Sequence, residues 1–373
     1  MLKLFMDCRY TRTRVHDGIS RFTAELTAAA ATHADVTMII SDPAQLRLLP
    51  DLPYVTTTPP TSPREPWVAR QINQYAPDVV FSPMQTMGSW GRTYPLLLTL
   101  HDLIYYQHRT PPRDLPSPVR FGWRVFHLSY QPQRWFLNRA DAVATVSHTT
   151  RSLMQEHRLT RRPIEVIGNA PARGADPRDP LRTPSKDLVY MGSFMDYKNV
   201  EAVVRSVNRL PDFTLHLCSP ISAQRRAELA AEASDAGQLV FHDGIEEVDY
   251  NALLHRATAL ISLSRAEGYG LPLVEAMSHG TPVVASDLPI FAEIAGAAVR
   301  EGGAQIVSPD DPEATAQAVR ALRAPEKFGA ASRAAHRRSQ DYSWDASAQR
   351  LIEMAQRAAA QYRSRWGSRR TER

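Results

Sequence analysis

Two glutamates eight positions apart, Glu267 and Glu275, lie in the stretch SRAEGYGLPLVEAMSHGTPVVASD, residues 264–287. Gly268 and Gly270 permit a tight loop, Pro272 suits the first turn of a helix because its missing N–H needs no partner there, and Gly280 suits that helix's end. The segment therefore reads as strand, loop and short helix. Helical side chains lean toward their own N-terminus, so Glu275 points back at the loop carrying Glu267, and both carboxylates border one pocket. Two acceptors beside a helix N-terminus suit a polyhydroxyl ligand that bears phosphate. Spacing alone equally allows a local reading, with Glu275 capping or pairing nearby and Glu267 solvated.

Other residues of chemical interest fall at predicted strand exits, where loops and helix N-termini of parallel sheets bind ligands. His101-Asp102 follows Leu96–Leu100, and Gly192-Ser193 follows Leu188–Met191. Only four of the 44 basic residues are lysines, at positions 3, 186, 198 and 327, so Lys198 beside such a loop stands out. The loop Tyr10–Ile19, YTRTRVHDGI, offers Gly18 for close backbone approach to phosphate or to a second substrate, and His16 and Asp17 for hydroxyl groups. Asp17 reads still better as the N-cap of a helix over Ile19–Ala31. Cys8 and Cys218 have no metal-type spacing around them and read as buried thiols.

Positioning these groups requires parallel sheets, and the chain alternates short β-branched runs with helical patterns, as βαβ units do. One series of strands is expected at Leu2–Cys8, Val36–Ser41, Pro53–Thr57, Val79–Ser82, Leu96–Leu100, Ala142–Ser147 and Ile164–Ile167. A second is expected at Leu188–Met191, Phe213–Leu217, Leu239–His242, Ala259–Leu263, Pro282–Ser286 and Gln305–Val307, with helices such as Asn199–Asn208 and Ala223–Ala233 between. Gly168–Ser185, rich in Pro, Gly and Arg, reads as a linker. A length of 373 residues agrees with two α/β domains. With 43% hydrophobic and 22% charged residues the chain is neither disordered nor fibrous, and its net charge of +5 is dispersed, so no nucleic acid partner is indicated. No apolar run reaches the roughly eighteen residues of a membrane span, and Asp7 interrupts the start before a signal region develops, so a cytoplasmic protein is expected.

GYGLPLVEAMSHGTPVVASD after a glutamate resembles the E-x7-E donor motif of retaining glycosyltransferases of family 4. The resemblance extends to Leu100–Leu103 (LHDL), the strand AVATVS, Ile167-Gly168-Asn169, Tyr190-Met191-Gly192, Lys198-Asn199, Phe241–Gly244 and Tyr342-Ser343-Trp344, which cover most of the chain in order. It implies a GT-B fold: two Rossmann-like parallel-sheet domains with an interdomain cleft, and a C-terminal crossover helix. The expected division is an acceptor domain at residues 1–168, a linker at 169–185, a donor domain at 186–343, and a helix that packs back on the first domain, with a basic tail, at 344–373. No DxD triplet is present, and the resemblance implies a site that needs no metal or other cofactor.

Carried onto these residues, the resemblance gives Glu267 the sugar hydroxyls, the backbone of Gly268, Tyr269, Gly270 and Leu271 the sugar or phosphate, and Glu275 the ribose. Lys198 would neutralise the leaving diphosphate beside Gly192 and Ser193, and His101 would meet the donor sugar's hydroxymethyl edge. Asp102 would orient that loop. The family usually has arginine where Ser193 stands, so another cation, Arg265 or Arg21, is expected to serve, or the enzyme is weakened. Cys218-Ser219 also replaces a common glycine and narrows the base site.

The implied reaction transfers a hexose, mannose first, from a GDP- or UDP-sugar to a glycolipid or polysaccharide with retained configuration. The alternative is a binding scaffold without turnover. A dehydrogenase is disfavoured because no GxGxxG joins a predicted strand to a helix, and an exported sugar receptor because no export signal is present. Six aromatics in VRFGWRVFHLSYQPQRWFL, residues 119–137, lie among arginines and suggest peripheral contact with anionic membrane at the inner face. Core packing explains at least half of them, and Pro132 is expected to interrupt the helix. Five arginines in residues 363–373 would add to that attraction.

Overall fold

The structure, a computed structural model, describes residues 1–110 and 117–371, and side chains within them apart from 117, 118, 236 and 365–371. It divides into two compact units, Met1–Asn169 with Ser343–Arg373, and Ala170–Tyr342.

The first unit contains β1 (Lys3–Asp7), α1 (Gly18–Ala30), β2 (Asp35–Ile40), β3 (Tyr54–Thr56), α2 (Val68–Asn73), β4 (Val79–Ser82), β5 (Leu96–Leu100), α3 (Ile104–Gln107), α4 (Ser117–Phe126), α5 (Gln131–Arg139), β6 (Ala142–Thr145), α6 (His148–Glu156) and β7 (Ile164–Val166). Its strands form one parallel sheet in the order β3-β2-β1-β4-β5-β6-β7. VVFS, LLLTL and AVAT are buried at every position, as expected for strands covered on both faces. Phe5, Val80, Leu96, Leu98 and Val143 share a core with Ile72, Leu137 and Met154 from the covering helices.

At the exit of β1 a buried ion cluster shapes the chain. Arg9 places Nε 2.7 Å from Asp7 Oδ1 and Nη1 2.6 Å from Glu65 Oε2, and Ser82 donates to Asp7 Oδ2 at 3.0 Å. Gln45 Nε2 donates to the carbonyls of Arg9 and Thr11 at 2.9 and 2.8 Å.

The last helix of the chain also belongs to this unit. It begins at Trp344 and runs to Thr371. It packs on α1: Trp344 is 3% exposed with its ring 6.0 Å from Phe22, and Ser347 Oγ donates to Gly168 O at 2.7 Å. The tail arginines 365, 369, 370 and 373 fall outside the described side chains, and Arg363 lies 3.6 Å from Asp78.

The segment 119–137 departs from expectation. Pro132 does not interrupt a helix but stands in the first turn of α5, where no intrahelical N–H is needed, and the break falls before it, between Phe126 and Gln131. Trp123, Phe126, Tyr130 and Phe136 are partly buried, whereas Phe121 and Trp135 are 71% and 49% exposed.

The second unit contains β8 (Asp187–Tyr190), α7 (Val200–Val207), β9 (Thr214–Leu217), α8 (Ala223–Glu232), β10 (Leu239–Phe241), α9 (Glu247–Arg256), β11 (Ala259–Ser262), α10 (Leu271–Ser278), β12 (Val283–Ser286), α11 (Pro289–Ala295), β13 (Ala304–Val307), α12 (Pro312–Ala321) and α13 (Pro325–Ser339), and the long helix Trp344–Thr371 of the first unit is α14. The six strands are parallel, in the order β10-β9-β8-β11-β12-β13. Leu188, Leu215, Ile261 and Val284 form its core with Val203, Leu229 and Val319.

The stretch 170–185 has no regular element but grips this unit. Arg178 is buried, its N–H bonds His279 O at 3.0 Å, Nη1 bonds Ala257 O at 2.7 Å, and its guanidinium lies 4.5 Å over the Phe328 ring. Burial pushes that guanidinium down to about 10.

Candidate active site

In an open parallel sheet the ligand crevice lies beyond the carboxyl ends of the strands where the strand order reverses. In the second unit that point lies between β8 and β11, which pair directly although distant in sequence. The loops leaving these two strands carry Gly192 to Lys198 and Glu267 to Gly270.

Side chains and backbone stitch the two loops together. After β8 the chain makes a single 3-10 turn over Asp196–Lys198 and then places Asn199 in the left-handed region, φ +52°. Asparagine tolerates that conformation better than most residues. Its buried side chain donates to Leu263 O and Pro309 O, both at 3.1 Å, which ties the β8 exit to the exits of β11 and β13. Arg265 N–H adds a bond to Tyr197 O at 2.7 Å.

This stitching brings Lys198 Nζ to 2.5 Å from Glu267 Oε2, with side chains only 14% and 16% exposed. Glu267 Oε1 accepts the Gly268 N–H at 3.2 Å. Gly270 follows at φ +98° and opens α10, with Pro272 in the first turn. A Cβ at Gly270 would stand 2.9 Å from a Phe291 ring carbon, so both backbone and space require glycine. Tyr269 is buried, and Leu271 and Glu275 are partly exposed on or beside α10. A cation, a carboxylate and a helix N-terminus thus meet at one strand exit, an arrangement able to hold an anionic leaving group next to hydroxyl groups.

Gly192 and Ser193 border the same loop. Tyr190 OH donates to Ser193 O at 2.7 Å, and burial together with the charge of Glu267 raises that phenol well above its usual range. The Gly192 N–H is taken by Ser219 Oγ at 3.1 Å, so the serine that replaces a common glycine holds this turn. Arg265, one of the two arginines considered for the missing cation, has its guanidinium paired with Asp310 Oδ1 at 2.5 Å on the exposed surface. Arg21 lies on α1 of the first unit. Arg225 on α8 also acts on Tyr190 electrostatically, but it is paired with Glu201 at 2.5 Å and Glu228 at 3.1 Å. Asn199 had a signal in its place just before a helix.

The remaining candidates belong to the first unit. His101 follows β5 and is partly buried, with Nε2 2.7 Å from Pro83 O and the Phe22 ring edge-on at 5.1 Å. A carbonyl can only accept, so Nε2 carries the proton and Nδ1 keeps its lone pair. Burial pushes this imidazole down to about 4, against the pull of the Pro83 carbonyl. Asp102 Oδ1 accepts Ile104 N–H at 3.0 Å and thereby orients its loop. Asp17 caps α1 through the Ser20 N–H at 2.8 Å and also holds Arg12 Nε at 2.6 Å, while His16 Nδ1 lies 2.8 Å from Ser20 Oγ. Gly18 is the first residue of α1, and a Cβ there would meet nothing within 4 Å.

Among the described residues no cluster of three or more His, Cys, Asp or Glu could hold a metal ion, and no helix is long and apolar enough to cross a membrane. Cys8 and Cys218 are buried free thiols, and burial raises the latter to about 12.

Comparison with known proteins bears on the family and the fold. Residues 185–324 match the family described as glycosyl transferases group 1, and residues 16–170 match glycosyltransferase family 4. The O-antigen chain mannosyltransferase RfbU of Salmonella typhimurium is 24% identical over 334 residues, 81% of this chain and 86% of that protein. The GDP-mannose:cellobiosyl-diphosphopolyprenol alpha-mannosyltransferase of Xanthomonas oryzae is 27% identical over 276 residues, 64% of this chain and 71% of that one. Among solved structures, sucrose-phosphate synthase from Thermosynechococcus elongatus superimposes with a TM-score of 0.75 at 18% identity, over 96% of this chain and 100% of that one. HepE of Anabaena, in complex with UDP and glucose, gives 0.71 at 17% identity, over 95% and 99%. Two parallel sheets, a lysine and a glutamate joined where the second sheet's strand order reverses, and these matches together place the chain in glycosyltransferase family 4, with the GT-B fold.

Proposed function

We propose that this glycosyltransferase moves a hexose, mannose from GDP-mannose first and a hexose from a UDP-sugar next, to a glycolipid or growing polysaccharide, with retained anomeric configuration. The observation that carries this is the Lys198–Glu267 pair beside the α10 N-terminus. The choice of mannose is supported by relatives named as mannosyltransferases.

Lysine has three donors. One holds Glu267, and the others are available to the departing diphosphate, whose charge grows as the C1–O bond breaks. Glu267, oriented by that lysine and by the Gly268 N–H, accepts from the sugar's hydroxyls, and Glu275 takes the ribose. Neutral His101 has an Nδ1 lone pair suited to a sugar hydroxyl. The acceptor oxygen attacks C1 on the face the phosphate leaves, and the acceptor's proton passes to the released phosphate oxygen. Lys198 and the helix N-terminus supply the positive potential, so the reaction as proposed requires no metal.

Membrane contact is assigned to the α4 region, where Phe121, Val125 and Leu128 are 71%, 49% and 62% exposed at helical spacing beside Arg120 and Arg124. Substituting Phe121 and Leu128 by serine should reduce sedimentation with anionic liposomes.

One observation favours a second reading, a scaffold that binds nucleotide sugar without turnover. The family's usual arginine is replaced by Ser193, and the Gly192 N–H is already occupied by Ser219. Release of free nucleotide from a panel of GDP-, UDP- and ADP-sugars, followed alongside thermal stabilisation by the same ligands, separates the two. Turnover with one donor establishes the enzyme and its sugar. Stabilisation without turnover in the presence of lipid and glycan acceptors selects the scaffold.

A further inference from the structure

At the edge of the first unit's sheet, away from the strand exits described above, a groove of about 1270 Å³ is lined by five arginines and no carboxylate. One wall is a face of α5, with Arg134, Trp135, Asn138 and Arg139 at helical spacing, while Leu137 turns inward to the core. The other wall is the loop from α6 into β7, which brings Arg158, Arg161 and Arg162. Both walls precede β6 and β7, so the groove lies at the amino ends of these strands, opposite the end that carries His101.

Three of the guanidiniums are held in place by neutral partners. Arg134 Nη2 donates to His157 O at 2.8 Å, and Arg162 Nη2 to Asn138 O at 2.8 Å. Arg139 donates to Ser89 Oγ at 2.9 Å and lies 4.8 Å over the Trp135 ring. Each keeps N–H groups to spare, because arginine has five. Arg158 and Arg161 are exposed. Among the described residues none of the five makes an ion pair. The acids nearest in sequence are committed or absent from the groove: Asp141 pairs with Arg92, Glu165 with Arg357, and Glu156 is not a lining residue. Burial and the neighbouring charge of Arg92 lower the pKa of Arg139, as expected where positive charge has no counter-charge.

Convergent like charges repel, and an anion of comparable charge density relieves the repulsion. One carboxylate would leave most of this charge unmet. Planar guanidinium forks match phosphate oxygens in pairs, and a stacked aromatic keeps one fork oriented before the ligand arrives. We propose that this groove is a second anion site, separate from the donor site, which binds a ligand carrying adjacent phosphate groups, either free in solution or borne on a lipid.

The test uses the full chain with Lys198→Ala, so that phosphate binding at the donor site does not contribute, and compares it with the same chain carrying Arg158→Gln and Arg161→Gln. Both added changes are at exposed side chains, and circular dichroism checks that folding is retained. One arm titrates inorganic pyrophosphate at constant ionic strength, and the other sediments phosphatidylcholine vesicles containing phosphatidylinositol 4,5-bisphosphate, whose two ring phosphates are adjacent. Losing two charge-assisted contacts should weaken binding at least about tenfold in whichever arm reports it. Loss in the pyrophosphate arm assigns a soluble ligand, and loss only in the vesicle arm assigns a lipid-borne phosphate. If the parent binds neither probe, or the added substitutions leave both bindings unchanged, the proposal is overturned.

Discussion

Lys198 Nζ stands 2.5 Å from Glu267 Oε2, a contact between residues 69 positions apart that exists because Asn199 and Arg265 fasten the β8 and β11 exits to each other. Each charge is mostly shielded from water and is the other's nearest counter-charge. Removing either therefore takes away a reacting group and leaves its partner unpaired.

Lys198→Ala should lower kcat by about 10²- to 10³-fold, the usual cost of losing one group that stabilises developing charge. Glu267→Ala should do comparable damage. Nucleotide release measures both, with circular dichroism to show that folding is intact; a near wild-type rate in the pair would reject this site.

Ser193→Arg restores a cation beside Gly192. Ser193 is exposed and its carbonyl, not its side chain, receives the Tyr190 hydroxyl, so the turn should persist. The KM for the donor should fall about tenfold, the value of one charge-assisted hydrogen bond. An unchanged or raised KM would mean that the existing cations already saturate the diphosphate.

Gly270→Ala should lower the melting temperature of the second unit. The new Cβ meets Phe291 at 2.9 Å, and φ +98° is unfavourable for any L side chain, so a loss of about 2 kcal/mol or more is expected. A thermal melt with unchanged midpoint would show that the loop relaxes freely.

The pH dependence of the first unit should carry a His101 contribution. Its folded pKa is about 4 against 6.5 in the unfolded chain, so below pH 6.5 the unfolded chain takes up a proton that the folded chain refuses. Stability is then lost as pH falls from 6.5 toward 4 and is level above. The loss amounts to on the order of 3 kcal/mol. His101→Gln, which keeps a donor for Pro83 O, should flatten this dependence in urea unfolding, whereas the lowered histidines His127, His242 and His279 remain in both proteins and cancel. Equal slopes in the two proteins would contradict the assignment.

Arg9→Leu should destabilise the first unit by about 3–5 kcal/mol, because Asp7 and Glu65 would be left as buried carboxylates without their counter-charge. Burial already raises the Glu65 pKa even with Arg9 present. Urea unfolding of the variant tests this, and a midpoint close to wild type would show that the carboxylates find water instead.

The amino-acid order by itself determined the elements. Among the described residues each of the thirteen expected strands forms within a few residues of where β-branched and apolar runs placed it, since a strand covered on both faces must be apolar along its length. The loop, helix and glycine stop around Glu267 were equally legible, because Gly270, Pro272 and Gly280 act through local backbone geometry. The Asp17 cap was local too.

Only the tertiary structure decided which loops meet. Strand order places β8 against β11, and with it Lys198 against Glu267, through crossovers whose burial depends on the whole sheet. The same long-range packing sends Arg265 to Asp310, anchors Arg178 on Phe328, moves the helix break ahead of Pro132 and gathers five arginines from two segments into one groove. A charged side chain's partner is set by spatial proximity, and in a chain rich in interchangeable arginines no local pattern records it.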